Sequence, residues 1–206
     1  LSKESSKASP KNIKPGNSLF FDVFNLYYRY NKIKLAYPIY LHMLQYDIMI
    51  NIHTYSRLLH MSIKHIDIAI KIIHDFIDST HNLSSEYHLQ DLNMMKQNIE
   101  LYVKKLINYN INDTMIFVKS LSNKNYISLE ILSIVLTSLL KRKNHHHIDI
   151  VTDILNIFNQ YTYIGYEHHQ DDKKDLYIIY NLLLCNLSLY LSPSMKNKGL
   201  LYKEFK

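Results

Sequence analysis

Residues 89–106, LQDLNMMKQNIELYVKKL, are the stretch of this sequence that decides its fold. The apolar side chains recur every three or four residues and form one stripe: Leu89, Leu92, Met95, Ile99, Tyr102, Val103 and Leu106. This period matches an α-helix and excludes a strand, in which successive side chains alternate between two faces. The stripe therefore predicts a long amphipathic helix near residues 85–108.

The same helical spacing recurs along the rest of the chain. Ile66, Ile70, Ile73 and Ile77 follow it on one side of the long helix, and residues 131–139 follow it on the other. The sequence contains only 3 Gly and 4 Pro, too few for the tight turns of sandwiches and nucleotide-binding folds. The sequence therefore predicts an all-α protein, whose first helix runs from Ser18 to Lys34 and whose second has Pro38 in its first turn.

Three junctions between apolar helices suggest an internal repeat. They are His65-Ile66-Asp67-Ile68, Tyr126-Ile127-Ser128-Leu129 and Tyr163-Ile164-Gly165-Tyr166. Helix pairs of about 33–47 residues are the units of α-solenoids, in which each pair buries its apolar face against its neighbours. The predicted fold is an irregular α-solenoid of helix-turn-helix repeats over residues 19–191, with flexible basic tails at 1–18 and 192–206. A coincidence of apolar pattern remains the alternative to a repeat.

The positive charge of the chain lies in these two tails. Each tail has four Lys and one Glu, a net charge of +3, whereas residues 19–191 carry 16 basic and 16 acidic side chains. Lysines in flexible segments neutralise RNA phosphates without a fixed fold, which makes these side chains candidate RNA contacts: Lys3, Lys7, Lys11, Lys14, Lys196, Lys198, Lys203 and Lys206. Equally, they could be solubilising tails, and the first could be the remainder of a presequence.

A second group of candidate RNA contacts lies within the helical body. Lys141, Arg142 and Lys143 follow one another at a predicted helix C-terminus, where the helix dipole favours positive charge without any ligand. The alternative is a phosphate contact, which Arg29, Lys32 and Lys34 would extend if they share a face with this triplet.

No residue pattern predicts catalysis, a metal site or a cofactor. Cys185 is the single cysteine and lies in an apolar run, which predicts a buried, inert thiol. We expect residues 145–147, three consecutive histidines, to form a polar loop rather than a zinc site, because adjacent side chains diverge. Residues 176–195 lack charge, but their apolar part spans only about 24 Å, so a buried repeat helix is favoured over a membrane span.

Part of the chain resembles a known family of repeat proteins. Residues 111–190, with Asp113-Thr-Met-Ile-Phe-Val-Lys-Ser-Leu, Asn125-Tyr-Ile-Ser-Leu-Glu-Ile-Leu and Ile154-Leu-Asn-Ile-Phe, resemble the heptatricopeptide (octotricopeptide-like) repeats of apicomplexan mitochondrial proteins. Residues 52–78 resemble them more faintly. The resemblance implies binding of organellar RNA, including fragments of mitochondrial ribosomal RNA. Many members end in a RAP domain, which nothing in this sequence matches.

These observations predict a non-catalytic subunit of a divergent mitochondrial ribosome in the mitochondrial matrix. Its partners would be rRNA and neighbouring ribosomal proteins in a large hetero-complex, with no cofactor and no small-molecule substrate. The alternative is a protein-only adaptor or accessory subunit of a mitochondrial membrane complex, with residues 176–191 packed against a membrane partner.

Overall fold

The computed structural model describes residues 17–46, 48–80, 87–142, 148–165 and 173–190. These residues form helices and no strands, which confirms the predicted all-α class. The helices are α1 (Asn17–Arg29), α2 (Ile33–Gln45), α3 (Ile52–Met61), α4 (Ile66–Thr80), α5 (Tyr87–Tyr109), α6 (Ile111–Asn123), α7 (Leu129–Arg142), α8 (Ile148–Gly165) and α9 (Lys173–Tyr190), with a short 3-10 turn at Ser62–Lys64.

The helices pack in two rows. In the first row α1 packs on α3, α3 on α5, α5 on α7 and α7 on α9. In the second row α4 packs on α6 and α6 on α8, while α2 reaches α4 through a hydrogen bond between Tyr40 and Asp75. Buried apolar side chains of both rows form one continuous core, which includes Phe24, Phe117 and Phe158. The first two helices are therefore part of the same packed body.

The boundary between the first two helices differs from the prediction. Helix α1 ends at Arg29, five residues before the predicted end, because Asn31 adopts a left-handed backbone (φ 50°) that reverses the chain. Helix α2 begins at Ile33, so Pro38 lies inside it rather than in its first turn. An interior proline removes one backbone hydrogen bond, and the burial of Ile33, Tyr40 and other side chains on the inner face of α2 offsets that loss.

The three junctions used to predict the repeat are not equivalent in the structure. His65 directly precedes α4, a helix of the second row, whereas Tyr126 precedes α7, a helix of the first row. Tyr163 lies inside α8. These three junctions therefore do not mark one repeating unit.

Helix α9 is buried on one side only, contrary to the prediction of a buried helix. Ile179, Leu183 and Asn186 are buried, and the Asn186 side chain donates a hydrogen bond to the Leu136 carbonyl of α7 (Nδ2 to O 3.2 Å). Cys185 is exposed, so the prediction of a buried thiol is wrong. The reason is helical geometry, since a residue adjacent to the buried Asn186 points about 100° away from it.

Candidate nucleic-acid interface

The turn between α1 and α2 brings three of the predicted RNA-contact residues together. The backbone N–H of Lys32 bonds to the Tyr27 carbonyl at 2.9 Å, and that of Asn31 bonds to the Tyr28 carbonyl at 3.1 Å. These two bonds form a Schellman motif, and Asn31 tolerates its left-handed conformation better than most residues. The motif fixes the backbone of the turn, which carries Arg29 and Lys34 on either side of it.

The cations of this turn are not neutralised by the surrounding protein. Arg29, Lys32 and Lys34 are exposed, and among the described residues no ion pair joins any of them to a carboxylate. Lys32 is the N-cap residue of α2 and Lys34 lies in its first turn. The helix dipole disfavours cations at a helix N-terminus, so the dipole gives these two lysines no stabilising role.

Arg57 of α3 adds a fourth cation to this surface. Its guanidinium donates a hydrogen bond to the Asn25 side-chain oxygen of α1. Its Cζ lies 5.8 Å from the centroid of the Tyr28 ring, within the range of a cation–π contact. One hydrogen bond and one ring contact therefore position the guanidinium between α1 and α3, and the charge of Arg57 remains available.

Exposed aromatic rings lie among these cations. Tyr28 is 42% exposed and Tyr30 is 68% exposed. From residue 17 to residue 66 the sequence has five basic residues and two acidic residues, Asp22 and Asp47, for a net charge of +3. The neutral body predicted from the total charge is therefore locally basic around α1, α2 and α3.

One of the predicted cations at the end of α7, Arg142, makes a structural contact. The Arg142 guanidinium donates a hydrogen bond to the Ile107 carbonyl in the last turn of α5. It thereby satisfies a carbonyl at a helix C-terminus, while Lys141 is exposed beside it. Helices α3 and α5 lie between α1 and α7 in the first row, so Arg142 and the α1–α2 turn do not form one patch. Lys143 lies outside the described residues.

The tail lysines also lie outside the described residues, and their predicted RNA contacts stay predictions. They are Lys3, Lys7, Lys11, Lys14, Lys196, Lys198, Lys203 and Lys206. Residues 145–147, the three consecutive histidines, are likewise outside them.

Elsewhere on the described surface, three lysines pair with acids of a neighbouring helix, whereas others, such as Lys104 and Lys105, are exposed and form no ion pair with a described carboxylate. Lys96 lies 3.3 Å from Glu130, Lys119 lies 2.7 Å from Asp153, and Lys124 lies 2.6 Å from Asp78. Burial alone would raise the pKa of Glu130. Hydrogen bonds from its own backbone N–H and from the Ser128 side chain, together with the Lys96 charge, outweigh burial and lower it. These pairs link helices, in contrast to the unpaired cations of the α1–α2 turn.

Two buried polar groups occupy structural positions. The Tyr40 hydroxyl donates to Asp75 Oδ2 at 2.7 Å, and burial, followed by this bond, raises the pKa of Tyr40 far above its usual value. Burial and the nearby Lys105 charge lower the pKa of His60, whose Nδ1 has no hydrogen-bond partner among the described residues. Neither group opens into a described cleft.

The clefts of the described structure lie along α5 and α7. One of about 340 Å³ is lined by Leu92, Lys96, Ile127 and Glu130, among others, and one of about 260 Å³ extends to Lys104 and Ile178. Glu130 lines both clefts, Lys96 lines the larger one, and Glu100 and Lys104 line the smaller one. Lys96 and Glu130 form a salt bridge between α5 and α7.

Comparison with known proteins finds no matching family model and no matching curated protein. Within the described ranges, no three His, Cys, Asp or Glu side chains lie close enough together to hold a metal ion. None of the helices in those ranges is both long and apolar enough to cross a membrane.

Sequence reasoning found Arg29, Lys32 and Lys34 but missed Arg57 and Tyr28. The one sequence feature that could have drawn attention to Arg57 is the scarcity of arginine, since only three of the 24 basic residues of the chain are Arg. Its position beside Tyr28 depends on the packing of α3 against α1, which the local sequence pattern does not encode.

Proposed function

We propose that this protein is a non-catalytic structural subunit of a divergent mitochondrial ribosome, in the mitochondrial matrix, where it contacts rRNA and neighbouring proteins. The observation that carries the proposal is the basic surface of the α1–α2 turn, where exposed cations without acidic partners lie among exposed tyrosines. Cations serve phosphate binding best when the protein's own carboxylates do not neutralise them.

The two helical rows support the scaffold part of the proposal. We propose that they form an irregular α-solenoid, in which each helix pair buries its apolar face against the next pair. The resemblance of residues 111–190 to heptatricopeptide repeats fits this arrangement. In such an array the inner layers are covered by their neighbours, and the end layers are left to contact partners.

Exposed apolar side chains at both ends of the rows support packing on neighbouring proteins. On α1 and α2 they are Leu19, Leu26, Leu35, Leu41 and Leu44, and on α9 they are Tyr177, Ile178, Tyr180 and Leu184. Several large apolar side chains exposed on one element are typical of an interface. The basic tails would then add contacts to rRNA beside these protein interfaces.

Gradient sedimentation tests this function. The tagged full chain is expressed in the source cells, and a mitochondrial lysate is sedimented with and without ribonuclease. We expect the protein to sediment with a ribosomal subunit and to move to light fractions after ribonuclease treatment. Deleting residues 1–16 and 192–206 should weaken this association, most strongly at low salt, because salt screens the phosphate contacts that the tails make. Sedimentation with light fractions before any treatment, or incorporation that is unchanged without the tails at every salt concentration, would contradict the proposal.

A second candidate is an accessory subunit of a mitochondrial membrane complex. The observation that favours it is the apolar outer side of α9, where Tyr177 is 69% exposed and Leu184 is 63% exposed. Fractionation distinguishes the two candidates: retention in salt-washed membranes supports the accessory subunit, and ribonuclease-sensitive sedimentation supports the ribosomal subunit.

A further inference from the structure

We infer that the α1–α2 turn is a binding site for single-stranded RNA, in which one base stacks on the free face of Tyr28 and Arg29, Lys32 and Lys34 contact phosphates. This inference rests on the RNA-binding part of the proposed function but not on the ribosome. Apart from Arg57, the site lies outside residues 52–78 and 111–190, the segments that carry the family resemblance.

The stacking part of the site follows from the surroundings of Tyr28. The Arg57 guanidinium contacts its ring, with Cζ 5.8 Å from the ring centroid, and 42% of the side chain remains exposed. A base on the free side would complete a guanidinium–ring–base sandwich. Because Asn25 holds the guanidinium in place, little further ordering is needed when the base binds.

The phosphate part follows from the charges beside the ring. Arg29 is next to Tyr28 in the chain, and Lys32 and Lys34 follow Arg29 by three and five residues. Tyr30, 68% exposed, offers a second ring among them. Single-stranded nucleic acids are bound by this combination, in which cations follow the backbone and aromatic rings stack on the bases.

The exposed rings favour single-stranded RNA over two other ligands. In a duplex the bases stack on each other, so an exposed tyrosine would gain nothing from them. An acidic protein segment would use the cations equally well, but it has no flat ring to place on Tyr28. The charge of the site is complementary to either ligand, and the ring is complementary to an unpaired base.

Fluorescence anisotropy with the purified full chain tests the site. The probes are a labelled single-stranded uridine 12-mer and a labelled 12-base-pair RNA duplex. We expect Tyr28→Ala to weaken binding of the single strand about fivefold or more, the effect of one lost base stack, and to leave duplex binding unchanged. Because both tails remain in every variant, their contribution to the affinity is the same in each comparison.

The salt dependence separates the roles of the cations and the ring. Substituting Lys32 and Lys34 together by Gln should reduce the slope of log K against log salt by about 1.4, or about 0.7 for each lost phosphate contact. Tyr28→Ala should leave that slope unchanged. Arg57→Lys keeps the charge but loses the planar group, so it should weaken single-strand binding at an unchanged slope.

Matched variants on other helices provide the controls. Tyr177→Ala removes a more exposed ring from α9 (69% against 42% for Tyr28), and the double substitution of Lys104 and Lys105 by Gln removes two exposed cations from α5. Both controls should bind the single strand more tightly than the corresponding site variants do. Circular dichroism melting of every variant verifies that the fold is retained.

Three results would overturn the inference. They are equal affinity of the wild-type chain for single strand and duplex, a Tyr28→Ala affinity equal to that of the wild type, and a loss of binding in the controls as large as in the site variants. Release of the single strand by poly-glutamate at equal charge, together with insensitivity to Tyr28→Ala, would assign the turn to an acidic protein instead. If this test fails but the chain still sediments with a ribosomal subunit, the proposed function stands without this site. If the chain binds the single strand but does not sediment with a ribosomal subunit, the RNA site stands and the proposed ribosomal function is wrong.

Discussion

Tyr40→Phe tests whether the basic α1–α2 hairpin is fastened to the rest of the helical body. Tyr40 is fully buried, and its hydroxyl donates to Asp75 Oδ2 of α4 at 2.7 Å. The Tyr40 ring also packs edge-on against Tyr55 of α3, with 6.1 Å between centroids. The substitution removes the hydroxyl and leaves the ring, so it isolates the contribution of the hydrogen bond.

The expected loss follows from the nature of the acceptor. A hydrogen bond to a charged group contributes about 1.5–3 kcal/mol, and removing its donor leaves the Asp75 carboxylate partly buried without that partner. In a chain of this length each kcal/mol lowers the melting temperature by about 2–4 °C, so a decrease of roughly 3–12 °C is expected. Tyr40→Ala should cost about 3–5 kcal/mol, because it also leaves a cavity where the ring was.

Urea unfolding followed by circular dichroism measures these changes. Tyr46→Phe is the matched control, because Tyr46 lies just after the same helix and is 60% exposed. Asp75→Asn keeps an acceptor oxygen but removes the charge, so its loss should be smaller than that of Tyr40→Phe. The double variant should be destabilised by less than the sum of the two single substitutions, since both act on one hydrogen bond.

A Tyr40→Phe variant as stable as Tyr46→Phe would refute this reasoning. So would strict additivity in the double variant. Either result would mean that α2 does not dock on α4 through this bond.

Three further predictions concern titration and the turns. Burial, and secondly the Lys105 charge, lowers the pKa of His60 from 6.5, so below that pH the unfolded chain binds a proton that the folded chain does not. The free energy of unfolding should therefore fall as the pH decreases below 6.5, and it should fall less in His60→Gln. Urea unfolding at a series of pH values measures both. Burial raises the pKa of Tyr126 from 10.0 to about 12, so its contribution to stability is complete below pH 10 and is lost as the pH rises to 12. Burial also raises the pKa of Tyr40, Tyr55 and Tyr102, so Tyr126→Phe should reduce, without abolishing, the tyrosinate absorbance that appears late in the titration of the folded chain. Asn125 has a left-handed backbone (φ 53°), which glycine adopts at no steric cost and valine does not. Asn125→Gly should therefore raise the melting temperature slightly, whereas Asn125→Val should lower the free energy of unfolding by about 1–2 kcal/mol. Equal effects of the two substitutions on stability would contradict a left-handed turn.

The existence of the helices could be predicted from the sequence because their signal is local. The stripe from Leu89 to Leu106 needs no knowledge of the partner helix, and α5 is found at Tyr87–Tyr109, close to the predicted 85–108. Ser128 directly precedes α7, and its hydroxyl accepts from the Ile131 backbone N–H at 3.4 Å, as expected of a helix cap. Caps and periodicity act within one turn, so the sequence contains them directly.

The break after α1 was missed because its signal is weak. Asn31 is the residue that ends the helix, yet it stands between Tyr30 and Lys32 without a Gly or Pro to mark the turn. Pro38 gave a stronger but misleading signal, since an exposed proline is tolerated inside α2 when the opposite face is well buried. Tertiary packing, rather than local preference, fixed both boundaries.

The candidate site could be predicted only in part, for a similar reason. The cations of the α1–α2 turn are neighbours in sequence, and their clustering was visible. Arg57 is 32 residues from its partner Asn25, and only the packing of α3 on α1 brings them together. The side of a helix that faces solvent was also hidden where the sequence is apolar all around, as at Cys185.

The zero net charge of residues 19–191 is the sum of a basic N-terminal segment and an acidic C-terminal segment, and this difference bears on how RNA would bind. Residues 19–66 hold five basic and two acidic side chains, a net charge of +3, whereas residues 67–191 hold 11 basic and 14 acidic side chains, a net charge of −3. Packed helices lie about 8–10 Å apart, so α7, two steps from α3 in its row, is about 16–20 Å away. That exceeds the Debye length of about 8 Å at physiological salt, so acidic side chains at α7 and beyond are largely screened at the α1–α2 turn. Asp75 and Asp67 of α4 lie closer, since burial and then their charges raise the pKa of Tyr37 in α2. RNA should therefore meet the chain at its N-terminal layers and leave α9 free for protein contact.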